Sequence, residues 1–456
     1  MSIADMARAL RSGEVTSEAL TRQALRRIQA VDHRIDAFIT VTPARALADA
    51  RMADGLLARS MDRGALHGIP YALKDIFDTV GIRTTCHSKL REEHVPAEDC
   101  FVGARLAAAG AVLLGKLGTH EFAVGGPSHD LPFPPPRNPW NREHVPGGSS
   151  SGAGAAIAAG MVRIAMGSDT GGSIRHPSAY CGVVGLKPTY GRVSRRGVAA
   201  LSWSMDHCGP MGRSVEDVAI LLGAVAGHDS LDPGSADVPV GDYLGGLERG
   251  VAGLRLGVPR AWLAQTAGPV RDGIERVLLA LTAAGAVVSD VVVPDLGEIS
   301  ACGRVILSAE AFAAHAADLR ARPGDYGRIA FTRLAAGAAL TAEDLMQAQR
   351  LRRQMTERMN RVFDKADALI CPNVMIEAPR FDALPDAMAP GAPMQMIQFN
   401  VTGHPALAMP IGLGLGGLPI GLQIAGRGFD EATVLRVGRA IEVLSGWEQV
   451  ALPVVA

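Results

Sequence analysis

Two clusters of glycine and serine lie close together in residues 147–178, GGSSSGAGAAIAAGMVRIAMGSDTGGSIRHPS. They are Gly147–Gly152 and Gly171–Ser173, separated by a run of small residues. Glycine permits tight backbone and close approach to a ligand. A serine hydroxyl beside several unencumbered backbone N–H groups is the raw material of a nucleophile with an oxyanion hole. Either cluster could hold that nucleophile, and each needs a base.

Gly148-Ser-Ser-Ser-Gly152 satisfies G-x-S-x-G with Ser150 at its centre. A nucleophile elbow requires a strand just before it, and here Asn138-Pro139-Trp140 through Val145-Pro146 reads as loop. Gly110–Lys116 fits G-x-x-x-x-G-K, but Leu117 stands where a magnesium-binding hydroxyl belongs and Ala-Val-Leu-Leu reads as strand. Gly412–Gly417 fits G-x-G-x-x-G but falls in a hairpin turn. The twelve histidines show no H-E-x-x-H spacing, and no well-placed His–Asp pair offers a base. A lysine can serve if burial lowers its pKa. Lys74 ends the apolar run Ile69-Pro-Tyr-Ala-Leu and precedes Asp75, so it is either a buried base or half of a structural ion pair with Asp75 or another acid.

These residues need a scaffold. Residues 3–60 show helical periodicity, with Thr16 or Ser17 as a cap. Gly68–Lys74 reads as a turn into a buried strand, 102–109 as helix, 111–114 as strand, and 126–146 as loop. Residues 152–162 read as a small-residue helix and 164–166 as strand. Strands at 254–258, 287–293 and 368–371 alternate with helices at 273–284 and 341–366, and 406–411 with 419–424 reads as a hairpin. That alternation predicts an α/β fold.

The 456 residues are 48% hydrophobic and 20% charged, as in a globular protein with a sizeable core. A net charge of −1 argues against a direct electrostatic grip on nucleic acid or acidic lipid. No signal peptide and no apolar run of membrane-spanning length is seen, and six scattered cysteines read as reduced, buried thiols. A cytoplasmic protein with no metal or cofactor is expected.

Lys74 in GIPYALKD, the GGSSSG and SDTGGSIRHP blocks and the run YCGVVGLKPTYGRVS together resemble the amidase signature family. KLGTHEFAVGG, SMDHCGPMGRSVEDV and GLPIGLQIAG extend the resemblance over nearly the whole chain, with residues 230–400 matching least. It implies one domain over 1–456, a mixed, mostly parallel twisted sheet covered by helices. The catalytic core would span about 60–225, and 250–456 would complete the sheet and the substrate pocket. It also implies a triad: Ser173 as nucleophile, Lys74 as base, and Ser149, after a cis peptide from Gly148, as the relay. The oxyanion hole would be the N–H groups of Thr170, Gly171, Gly172 and Ser173. Ser150 is expected to hydrogen-bond within the serine network, and Asp169 with Arg175 to brace the loop. The pocket would be lined by Gly125, Gly126, Met375, Ile376, Ile397 and Phe399, with the proline-rich loop 127–138 at its edge.

The implied activity is hydrolysis of C–N bonds in small amides, and also of carbamates (a urethanase), anilides or esters. The expected partner is a small-molecule substrate, without nucleic acid or membrane, for a monomer or homodimer. The alternative is the glutaminase subunit of a tRNA-dependent amidotransferase. Relatives that take glutamine carry an acid before an FT-x-P-x-N stretch, whereas Pro393–Asn400 here has no charge. An ammonium would be left unpaired there.

Overall fold

Along three neighbouring strands the side chains alternate between two separate cores. Leu73, Leu113, Ile164 and Met166 enter one core, whereas Ala72, Val112, Leu114 and Ala165 enter another. Strand side chains point to opposite faces in turn, so a sheet buried on both sides produces two cores. In the computed structural model, which describes residues 1–384, 394–453 and 455, eleven strands form that sheet among the described residues. They are β1 (Phe38–Val41), β2 (Pro70–Lys74), β3 (Val112–Leu117), β4 (Ile164–Asp169), β5 (Val184–Lys187), β6 (His207–Gly212), β7 (Arg255–Val258), β8 (Val287–Asp290), β9 (Ala368–Pro372), β10 (Ala406–Leu413) and β11 (Pro419–Gly426). Their spatial order is β1-β3-β2-β4-β6-β5-β10-β11-β9-β7-β8.

The sheet is mixed. β3, β2 and β4 run parallel, as do β9, β7 and β8, and antiparallel pairs join these blocks. The α/β reading of the alternation therefore holds. Helices lie on both faces: Ser151–Ala158 supplies Ala153, Ala155, Ala156 and Ile157 to one core, and Val215–Val225 supplies Val218, Leu221 and Leu222 to the other.

Local expectations hold where chemistry is local. Thr16 caps the helix Ser17–Val31 by accepting from Ala19 N–H. β10 and β11 pair as the hairpin that contains Gly412–Gly417. β1 departs from the helical reading of residues 3–60: its four half-buried residues pair with β3 at the sheet edge, too short a run to show period-two patterning. The helices Leu296–Ala321 and Arg328–Ala335 are also additions to the sequence reading. No helix among the described residues is long and apolar enough to cross a membrane.

Candidate active site

Lys74 ends β2 and Asp169 ends β4, and these strands are parallel neighbours. Their carboxyl ends therefore open onto one crevice, the usual place for ligands in α/β sheets. The Lys74 side chain is wholly buried. Its Nζ lies 2.7 Å from Ser149 Oγ and 2.9 Å from Ser168 Oγ. Burial lowers its pKa to about 7, although the charges of Asp169 and Asp206 pull upward. The neutral amine is thus accessible near neutral pH. Asp75 is not its partner: that carboxylate faces Lys116 at 3.4 Å and accepts from Thr85 N–H and Oγ1. Lys116, the lysine of the G-x-x-x-x-G-K match, is consumed in this buried pair and in bonds to Phe77 O and Thr84 Oγ1.

The Gly148–Ser149 peptide is cis. Position 148 must be glycine, because a Cβ there would sit 2.2 Å from the His120 ring. Ser150 ties the two serine clusters together. Its N–H donates to Ser173 O at 3.1 Å, and its Oγ donates to Ser168 O and accepts from Ser168 N–H. It precedes the helix Ser151–Ala158 without a strand before it.

Asp169 and Arg175 form a fully buried pair at 2.9 Å. Arg175 also donates to Met396 O, Gln423 Oε1 and Asn400 Oδ1, which pins the 171–174 loop to the C-terminal half of the chain. Burial alone would raise the Asp169 pKa, but the Arg175 charge and hydrogen bonds from Arg175 and Asn400 hold the carboxyl well below the usual range. Asp169 also accepts the Gly172 N–H at 2.8 Å. Gly172 therefore departs from the expected oxyanion set, since its amide points back into the protein.

A cavity of about 530 Å³ opens over this loop, a size suited to a small ligand. Ser149, Thr170, Gly171, Gly172 and Ser173 line it, as do Gly125, Gly126 and Ile397. Met375, Ile376 and Phe399 are not in the lining. Phe399 packs edge-on against Trp262 in a separate core, and Met375 O accepts from Ala267 N–H. Pro135 and Pro136 of the proline-rich loop reach the cavity. Pro393, at the head of the uncharged stretch, lies outside the described residues.

Sequence reasoning passed over several residues of the site and its cavity. Ser168 reads as an ordinary strand residue until β2 and β4 are paired. Arg304, Leu307, Arg328, Ile329 and Arg333 line the cavity from helices with no motif of their own. His120 and His176 also line it, and burial lowers both pKa values, to about 3 and about 4, so they are neutral near pH 7.

The amidase family model matches residues 19–435. The chain belongs to the amidase signature family. As a family member it is an enzyme that cleaves C–N bonds. The chain is 40% identical to a glutamyl-tRNA(Gln) amidotransferase subunit of Geobacter metallireducens, over 96% of each chain. It is similar to a solved chain from a vestigial complex described as revealing the origins of an s-triazine catabolic enzyme (TM-score 0.91, 36% identity, 97% and 98% of the two chains). The peptide amidase of Stenotrophomonas maltophilia shares the amidase fold at TM-score 0.88 and 32% identity, over 99% and 98% of the chains.

The first of these relatives corrects one expectation. A partner list limited to a small molecule, without nucleic acid and in a monomer or homodimer, does not stand beside a full-length relative named as one subunit of a glutamyl-tRNA(Gln) amidotransferase. Net charge misled here because it speaks only to direct contact. One member of a complex can leave nucleic acid to its partners.

Proposed function

We propose that this amidase-family chain hydrolyses a small carboxamide through an acyl-enzyme on Ser173. The observation that supports it is the buried Lys74 amine 2.7 Å from Ser149 Oγ, at the edge of a cavity that Ser173 also lines. When neutral, Lys74 donates to Ser168 and leaves its lone pair for the Ser149 hydroxyl. Ser149 in turn takes the proton of Ser173 as Ser173 Oγ attacks the carbonyl carbon. The resulting oxyanion is held by N–H groups of Thr170, Gly171 and Ser173, Gly172 being engaged by Asp169. The proton returns through Ser149 to the leaving nitrogen and the C–N bond breaks. Water, deprotonated along the same path, then releases the acid and regenerates Ser173.

Two settings suit this chemistry. The relatives favour the first, the glutamine-hydrolysing subunit of a tRNA-dependent amidotransferase, given 40% identity across 96% of both chains. The second, a stand-alone amide hydrolase such as the family's peptide amidase, is supported by the uncharged stretch Met394–Asn400 and by the likeness to that enzyme. The test is labelling of Ser173 by a neutral acyl-mimicking phosphonate, with ammonia release from glutamine measured in parallel. Labelling lost in Ser173→Ala supports the nucleophile, and labelling at another serine sinks it. Ser173-dependent release from glutamine supports the first setting. Turnover of simple amides without glutamine supports the second.

A further inference from the structure

The two serines of the proposed relay stand on separate segments of chain, and one histidine touches both segments. His176 follows Ser173 by three residues. Its N–H donates to Gly172 O at 2.7 Å, which closes the turn that carries Ser173. Its side chain reaches the other segment. Nδ1 lies 3.3 Å from Gly148 N and 3.1 Å from Gly148 O. Among the described residues no other hydrogen bond reaches either of these Gly148 groups. The segments are in backbone contact here as well: a Cβ on Gly147 would lie 2.9 Å from His176 O and from Pro177 Cα.

A second histidine holds the same stretch. The His120 ring fills the place a side chain at position 148 would take, and the His120 N–H donates to Ser149 O at 3.1 Å. Glycine has no side chain with which to anchor itself, so the placement of Gly148 falls to these neighbours. The two nitrogens of His176 differ in their surroundings. Nε2 is buried without a hydrogen-bond partner among the described residues, so it is closed to a ligand in the cavity that the residue lines. The ring packs edge-on against Tyr180, with centroids 4.7 Å apart, and this contact fixes its orientation. Nδ1 is therefore the working atom. A neutral ring accepts from the Gly148 N–H or donates to the Gly148 carbonyl, according to its tautomer.

We infer that His176 is a positioning residue that sets the separation of Ser149 from Ser173 by fastening Gly148 to the turn that carries the nucleophile. The inference rests on the acyl-enzyme reading above. Proton transfer between hydroxyls needs them within hydrogen-bond reach, about 3 Å. Lys74 holds Ser149 at its Oγ, and His120 and His176 hold the backbone on either side of the Gly148–Ser149 bond. His176 thus acts through Ser149 and not on the substrate.

The test is the rate at which a neutral acyl-mimicking phosphonate labels Ser173 in the full chain, followed over phosphonate concentration so that binding and reaction separate. His176→Phe keeps a ring against Tyr180 and removes both nitrogens. His176→Asn keeps a polar atom at the place of Nδ1, and His176→Gln keeps one at the place of Nε2. A lost hydrogen bond costs about tenfold and a displaced reacting group up to about 100-fold. The maximal labelling rate of the Phe and Gln variants should therefore fall about 10- to 100-fold with half-saturation unchanged, while the Asn variant stays within about threefold of wild type. A Phe variant that labels like wild type overturns the inference. Rescue by Gln and not by Asn, or a loss confined to half-saturation, also overturns it, because either makes His176 a ligand-binding group. If far-ultraviolet circular dichroism shows the Phe variant unfolded, the Asn and Gln variants decide: Asn faster by about tenfold supports the inference, and equal rates overturn it. In all of these outcomes labelling of Ser173 in wild type keeps the acyl-enzyme reading. Wild type that labels at another serine, or not at all, overturns that reading and the inference with it.

Discussion

If Lys74 is the base, catalysis must follow its neutral fraction, and the structure sets both the midpoint and a way to move it. With the pKa lowered to about 7 by burial, the sign is definite: protonation removes the base, so kcat/KM falls as pH falls. Two units below the midpoint only about 1% of the amine is neutral, so activity at pH 5 should be ~100-fold below its plateau. Ser168 Oγ accepts from the amine at 2.9 Å and bonds the charged form more strongly than the neutral one. The difference between charged and neutral hydrogen bonds is about 1 kcal/mol. At 1.36 kcal/mol per unit, Ser168→Ala should shift the acid limb ~0.7 unit toward lower pH. The assay is a pH profile of kcat/KM for wild type and variant on the same amide. Asp75→Asn is the control, because Asp75 pairs with Lys116 and should leave the midpoint in place. A limb above pH 9, or one moved by Asp75→Asn and not by Ser168→Ala, would refute the assignment.

Ser173→Ala and Ser149→Ala should each lower turnover by at least ~10³-fold with far-ultraviolet circular dichroism unchanged, since members of such a unit fail together; retention of a tenth of the activity in either would speak against the relay. Asp169→Asn leaves the fully buried Arg175 without its counter-charge and should cost about 3–5 kcal/mol of stability, read as a lower urea midpoint; an unchanged midpoint would contradict the bracing role. Asp75→Asn should destabilise through the buried Lys116 in the same way, so its effect belongs in the melting curve and not in the pH profile. Gly125→Ala places a methyl 2.6 Å from Ile329 at a φ of +80°, which must displace the helix Arg328–Ala335; KM for an amide should rise more than kcat falls, and an unaltered KM would place that helix outside substrate binding.

Much of the architecture was legible because it is written locally. Apolar runs bounded by Gly and Pro marked β2, β3 and β9, and the Gly-rich turn between β10 and β11 marked the hairpin. Lysine at the end of an apolar strand flagged Lys74 as unusual. What could not be read is which side chain answers that lysine. Asp75 adjoins it in sequence, yet neighbours on an extended chain point to opposite sides, so Asp75 meets Lys116 while Lys74 meets Ser149 and Ser168. The Lys74–Ser168 contact spans 94 positions and exists because β2 and β4 are adjacent in the sheet. The pocket was less legible still. Phe399 is apolar enough for a lining and for a core, and packing against Trp262 placed it in the core.

The sequence by itself determined the α/β alternation, the paired Gly/Ser loops and the unusual lysine, because turn chemistry, periodicity and a charge in an apolar run are properties of short segments. Tertiary structure decided the rest. Strand order chose the partners of Lys74, a buried carboxylate withdrew the Gly172 amide from the loop's outward face, and two helices without a motif brought arginines into the cavity lining. Each of these depends on groups far apart in the chain, and only packing of the whole sheet and its covering helices brings them within the few ångströms over which they act.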